Sequence, residues 1–265
     1  MSGLITINTL KSLKQKGEKI AVLTSYDASF AKVSEQAGVE VLLVGDSLGM
    51  VVQGKADTIP VTVDEVIYHT ANVTRAVNDI FVIADMPFMS YATAESALIN
   101  AGRLMKEGAA NMVKLEGGHS QLDTVRHLTA HAVPVCAHLG LLPQSVHQLG
   151  GYRVQGKDAH QAEQIRRDAL DLQDAGAQML VLECVPSALA QLVTAELEIP
   201  VIGIGAGKDV DGQVLVVYDM LGIGSDSLPR FVRNFMQENN AIADAIRAYV
   251  SAVKNTSFPA PQESY

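Results

Sequence analysis

Five apolar runs in this chain are closed by a side chain that can ionise: Val44-Gly45-Asp46-Ser47, Ala84-Asp85-Met86-Pro87, Val113-Lys114-Leu115-Glu116-Gly117-Gly118, Ala137-His138-Leu139-Gly140 and Leu182-Glu183-Cys184. Taken alone, a strand-end Asp such as Asp46 can simply cap the next helix or close an Asx turn. Five in succession are harder to assign to turns. Asp46, Asp85 and Glu116 brought together would repel, so a proton or a hard dication must relieve them. Oxygen donors without a His or Cys cluster suit Mg²⁺ or Mn²⁺ better than zinc. Lys114 precedes Glu116 by two residues and so shares its strand face. There it could hold an anionic substrate, bridge to a site carboxylate, or do both. Glu183 lies between Leu182 and Cys184, and partial desolvation there would lift its pKa toward the range of a general base. A metal facing a base suits enolisation of a keto acid. His138 either assists proton movement or completes a core hydrogen bond.

The elements that must position these groups follow from continuous apolar runs bounded by Gly, Pro or Asp, which read as strands buried on both faces. Eight are predicted: Ile20–Thr24, Val39–Val44, Ile80–Ala84, Asn111–Leu115, Val133–Ala137, Met179–Leu182, Pro200–Ile204 and Gln213–Val217. Helical patterns alternate with them, among them Asp64–Ala76, Thr93–Glu107, Gln121–His131 and Ala159–Ala175. Thr93 is placed to N-cap the second, and Gly176 to terminate the last. Units of about 30 residues alternating in this way predict a single-domain (β/α)8 TIM barrel over residues 1–265, with a loose tail at 255–265. The same alternation fits an open doubly wound sheet, which would bind its ligand at a strand-order switch point. In a barrel, strands two and six stand opposite each other, so Glu183 is expected to face the metal across the cavity.

Composition narrows the function classes. The chain has 265 residues with 48% hydrophobic and 18% charged, which is the make-up of a globular domain. Its 20 Lys and Arg against 29 Asp and Glu give a net charge of −9, with no basic run and 5% aromatics, which speaks against nucleic acid as a partner. Cys136 and Cys184 sit in apolar runs as two core thiols, without C-x-x-C spacing. Met1–Lys19 lacks a signal-type apolar stretch, and no run approaches the ~18 apolar residues of a membrane span. A soluble, cytoplasmic protein is expected.

Two glycine-rich stretches add candidates. Gly203-Ile204-Gly205-Ala206-Gly207 has the look of a phosphate cradle but lacks a P-loop Lys-Ser/Thr, and close backbone packing at the rim explains it equally. Gly150–Gly156 lies in the longest connection without assigned structure, where a lid or substrate loop is expected. His69, His127 and His131 fall in helical patterns without ligand spacing and are expected at the surface.

The stretches Val44–Met50, Val113–Gly118, His138–Leu141, Gly150–Tyr152 and Ile202–Gly207 resemble, in order and spacing, the ketopantoate hydroxymethyltransferase family. The likeness runs from about Thr9 to Phe235. It implies a (β/α)8 barrel, a homodecamer, and transfer of a one-carbon unit from methylene-tetrahydrofolate to α-ketoisovalerate. The product would be ketopantoate, for pantothenate and coenzyme A synthesis. By the same resemblance, Asp46, Asp85 and Glu116 match the family's Mg²⁺ ligands, Glu116 directly or through water. Asp46, Ser47, Asp85 and Lys114 match its substrate contacts, His138 joins them at the substrate site, and Glu183 matches its proton acceptor. One departure is Leu141-Leu142-Pro143-Gln144-Ser145, where many relatives have Thr at the second position. It is expected to alter local loop packing without touching a charged site residue.

A rival reading keeps the metal and the enolate but makes the protein a carbon–carbon lyase like phosphoenolpyruvate mutase or isocitrate lyase. Those enzymes typically carry a catalytic Cys loop, and neither Cys136 nor Cys184 lies on such a loop. A non-catalytic acidic barrel would bind a keto acid without turnover.

Overall fold

In a computed structural model that describes residues 3–224 and 228–265, eight parallel strands close into a barrel in sequence order. They are β1 (Ile20–Thr24), β2 (Val41–Val44), β3 (Phe81–Asp85), β4 (Met112–Glu116), β5 (Val135–Gly140), β6 (Met179–Glu183), β7 (Val201–Ile204) and β8 (Gly212–Leu215). β8 pairs back onto β1, with Val22 beside Val214. The open-sheet alternative therefore falls, and the (β/α)8 barrel is the fold.

Strand periodicity sorts the side chains into two cores. Ala21, Leu23, Leu42, Val44, Val82, Ala84, Val113, Leu115 and Ala137 face outward into the layer beneath the helices. Ile20, Val22, Val41, Leu43, Phe81, Ile83, Met112, Cys136, Met179, Val181, Ile202 and Val214 fill the barrel interior, which Leu10 of helix Ile7–Lys16 joins. Helices begin where caps direct them: Thr62 and Thr93 both form capping boxes, with Glu65 and Ser96 respectively. Helix Ala159–Asp174 ends with Gly176 at φ 107°, where an added Cβ would fall 2.7 Å from Thr129 Oγ1.

The predicted strands shift toward their C-terminal ends on the site side of the barrel. β3, β4 and β6 include Asp85, Glu116 and Glu183, and β5 runs three residues past Ala137 to Gly140. Those polar residues end the apolar run but not the hydrogen-bonded ladder, because their side chains point into the barrel mouth. β8 is shorter than expected: Val217 starts a short helix to Met220, and its N–H donates to Thr24 Oγ1 at 2.9 Å.

The expected loose tail is instead packed. Phe258 is buried edge-on against Phe235 and Tyr249, and Glu263 pairs with Arg233 at 2.7 Å. Ser187 donates its N–H and its hydroxyl to the Tyr265 carbonyl at 2.8 and 2.9 Å. Two prolines suggest looseness, but an aromatic anchor and a half-buried ion pair outweigh them. The long connection after β5 is also more ordered than expected, with a 3-10 turn at Pro143–Ser145 and a helical turn at Val146–Leu149.

Candidate active site

The inner parity of the strands carries upward from the barrel core to its mouth. Ile83 leads to Asp85, Met112 to Lys114 and Glu116, Cys136 to His138, and Val181 to Glu183, each two residues further on. Register then decides the neighbours: Asp85 lies beside Lys114, and Glu116 beside His138. Asp46 arrives differently, on the turn after β2, where Gly45 is required. A Cβ at Gly45 would sit 2.8 Å from Ser47 Oγ. Its absence lets the Asp46 N–H donate to Asp85 Oδ2 at 3.0 Å.

A cavity of about 260 Å³ opens above these groups. Part of its lining is polar, with Asp46, Ser47, Asp85, Lys114, Glu116, His138, Glu183 and Asp219; the rest is largely apolar, with Ile204, Val214, Val216, Pro229 and Phe231. Met50 and Tyr152 stand at the rim, where the Tyr152 hydroxyl donates to Met50 Sδ at 3.6 Å. The Gly150–Gly156 stretch thus contributes to the cavity wall. The Gly203–Gly207 stretch is explained by packing: a Cβ on Gly205 would meet Phe231 at 2.9 Å, and one on Gly207 would meet Ser187 Oγ at 2.5 Å.

Lys114 Nζ lies 2.9 Å from Asp85 Oδ1 and 3.3 Å from His138 Nδ1. An ammonium only donates, so Nδ1 accepts, and a neutral ring then carries its proton on Nε2. That atom faces Glu183 Oε2 at 3.3 Å. Burial, reinforced by Lys114, holds the His138 pKa well below its ordinary value, so the ring is neutral. Burial would lower Lys114 as well, but Asp85, Glu116 and Asp46 outweigh it and hold the ammonium charged. Burial pushes Glu183 up to about 8, with Lys114 opposing and Asp85 assisting. Asp46 is pushed up to about 7 by burial and by Asp85, and burial carries Glu116 well above its usual range.

Every sequence-predicted site residue lines this one cavity. Glu183 is not isolated on a far wall: His138 lies between it and Glu116, whose Oε1 is 3.7 Å from His138 Nδ1. Among the described residues, no three His, Cys, Asp or Glu side chains stand preassembled as a metal cage. Asp85 turns to Lys114 and the Asp46 N–H, while Gln144 takes one oxygen each of Asp46 and Glu116. The donor chemistry nevertheless fits a hard dication. Five carboxylates (Asp46, Asp85, Glu116, Glu183 and Asp219) share the cavity with one ammonium, and Asp85 Oδ1 is buried without an aligned hydrogen bond.

Sequence reasoning missed Gln144, Tyr91 and Tyr26. The Tyr26 and Ser47 hydroxyls are hydrogen-bonded at 2.8 Å. The Leu141–Ser145 stretch, expected to avoid charged site residues, contacts two of them through Gln144. A loop glutamine has no periodic signal; only the adjoining Pro143 marks a rigid turn. His69 and His127, expected at the surface, are half-buried, and His69 Nδ1 bonds the Tyr26 carbonyl at 2.7 Å. His131 is exposed, and none of the three lines the cavity.

An eight-stranded α/β barrel with titratable side chains gathered at the C-terminal ends of its strands defines a TIM-barrel enzyme. The family profile described as ketopantoate hydroxymethyltransferase matches residues 4–261, and the chain belongs to that family. A relative from Nitrosococcus oceani, named 3-methyl-2-oxobutanoate hydroxymethyltransferase, is 58% identical over 99% of this chain and 100% of its own length. One of the same name from Pseudomonas fluorescens is 56% identical, over 98% of each chain. Among solved structures, 2,3-dimethylmalate lyase, a phosphoenolpyruvate mutase/isocitrate lyase superfamily member, superposes with a TM-score of 0.59 at 17% identity, covering 83% of this chain and 84% of its own. Phosphonopyruvate hydrolase gives 0.61 at 14% identity, covering 98% and 93%. These two share the fold. No helix among the described residues is long and apolar enough to cross a membrane.

Proposed function

We propose that this transferase moves a hydroxymethyl unit from methylene-tetrahydrofolate to 3-methyl-2-oxobutanoate (α-ketoisovalerate), forming ketopantoate on the route to pantothenate and coenzyme A. Full-length similarity to named relatives supports the substrate, and one observation supports the chemistry: a half-buried carboxylate, Glu183, shares a small cavity with an ammonium and four further acids.

Asp46, Asp85 and Glu116 are the residues that would hold Mg²⁺. When bound, the cation supplies Lewis acidity at the keto oxygen and offsets the excess negative charge. Lys114 attracts the substrate carboxylate, and Ser47, held by Tyr26, offers a hydroxyl beside Asp46. Glu183 takes the proton from the methine carbon next to the ketone. His138 Nε2, 3.3 Å from Glu183 without an aligned hydrogen bond, needs only a small rotation of either side chain to donate to Glu183 as its charge changes. The electron pair left on that carbon forms the new bond to the folate methylene group in its iminium form. Water supplies the hydroxyl, and tetrahydrofolate leaves. The apolar wall at Ile204, Val214 and Phe231 suits the substrate's methyl groups and excludes water from the carbanionic centre.

The deciding experiment is ketopantoate formation from α-ketoisovalerate with and without methylene-tetrahydrofolate, and with and without Mg²⁺. Product that depends on both supports the reading; turnover independent of the folate overturns it. A homodecamer acting in the cytoplasm on small molecules completes the proposal, and sedimentation of the purified protein tests the assembly.

A further inference from the structure

Gln144 is 4% exposed and every polar atom of its side chain is engaged. Its Nε2 donates to Asp46 Oδ2 at 2.8 Å and to the Met86 carbonyl at 3.0 Å. Its Oε1 accepts from the Tyr91 hydroxyl at 2.5 Å, and its backbone N–H donates to Glu116 Oε2 at 3.0 Å. Tyr91 Oη in turn accepts from the Glu116 N–H at 3.3 Å. Only one amide orientation is possible, since the flipped group would set Oε1 against the Met86 carbonyl. One residue from the β5 loop therefore ties together the ends of β2, β3 and β4.

We propose that Gln144, locked by Tyr91, is a positioning residue that orients the Asp46 and Glu116 carboxylates for a divalent cation by occupying one oxygen of each. This rests on the metal reading given under Proposed function. Buried acids of like charge tend to swing apart or take up protons. A neutral amide can hold them at fixed rotation without cancelling the charge a cation needs. Gln144 occupies Asp46 Oδ2 and Glu116 Oε2 and leaves Asp46 Oδ1 and Glu116 Oε1, through which the two residues would hold the cation. Partners that hydrogen-bond ligating carboxylates commonly change metal affinity 10- to 100-fold, roughly, when replaced. Tyr91 acts one step further out and sets the direction of the amide.

The test is Mn²⁺ binding to the full chain without substrate, by electron paramagnetic resonance titration, in wild type, Gln144→Ala and Tyr91→Phe. Thermal melting without cation is recorded in parallel. The expected result is Mn²⁺ affinity lower by about 10- to 100-fold in Gln144→Ala, and a smaller loss of the same sign in Tyr91→Phe. Activity of Gln144→Ala should fail at limiting cation and recover at saturating cation. A purely structural glutamine would lower the melting temperature and leave Mn²⁺ affinity unchanged; that outcome overturns the proposal. Should Gln144→Ala not fold, unchanged affinity in Tyr91→Phe overturns it equally. Absence of Mn²⁺ binding in wild type would be a different failure, that of the metal reading itself.

Discussion

Glu183 and His138, on adjacent strands, face each other with Oε2 and Nε2 3.3 Å apart at the barrel mouth. Because Lys114 occupies the other ring nitrogen, the proton of the neutral imidazole sits on the nitrogen nearer the carboxylate, although the two are not aligned as a hydrogen bond. The half-buried acid thus has a neutral imidazole, and not a second charge, as its neighbour on the adjacent strand.

If Glu183 takes the methine proton, Glu183→Gln should cut solvent deuterium exchange into α-ketoisovalerate by roughly 10²- to 10⁴-fold, the usual worth of a positioned base. Proton NMR in D₂O with Mg²⁺ reads this directly. Exchange at the wild-type rate would move the base elsewhere.

Stability should depend on pH through the same group. Glu183 and Asp46 have folded-state values of about 8 and about 7, above those of an unfolded chain. The native state therefore keeps protons that the unfolded chain has released by about pH 5. Their contribution is complete at low pH and is lost as pH rises through 7 to 8. Without divalent cation, the melting temperature should fall by on the order of 5 °C between pH 5.5 and 8.5. Glu183→Gln should flatten that slope; an equally steep slope would remove Glu183 as its source.

Asp85 is the direct partner of the buried Lys114. Asp85→Ala leaves an ammonium in a dry site and should cost about 3–5 kcal/mol in urea unfolding. Calorimetry should also show weaker binding of both Mg²⁺ and keto acid. Undiminished Mg²⁺ affinity would take Asp85 out of the ligand set.

The packed tail makes its own prediction. Phe258 is 2% exposed between Phe235 and Tyr249, so Phe258→Ala should destabilise by about 3–5 kcal/mol. A change within ±0.5 kcal/mol, typical of surface sites, would mean the tail is loose in solution.

Much of the site was legible because it obeys a period. Strands buried on both faces read as unbroken apolar runs, and a titratable residue two positions beyond an inward Ile83, Met112 or Val181 must also point inward. What periodicity does not carry is contact between distant segments. Gln144 reaches the acids from a loop 98 residues after Asp46, and Tyr91 from a turn 25 residues before Glu116. The packing of the tail is hidden for the same reason: its prolines are local, but Phe258 and Glu263 find their partners on other elements.

By itself, then, the order of residues determined the eight strands, the inward parity that lines Asp85, Lys114, Glu116, His138 and Glu183 along one mouth, and membership of the family. Tertiary structure alone decided which of those charges pair: Lys114 with Asp85, His138 between Glu116 and Glu183, and Asp46 with Gln144. Parity is a property of one strand and is written locally, whereas register and loop closure depend on how eight strands slide against one another, which only the closed barrel settles.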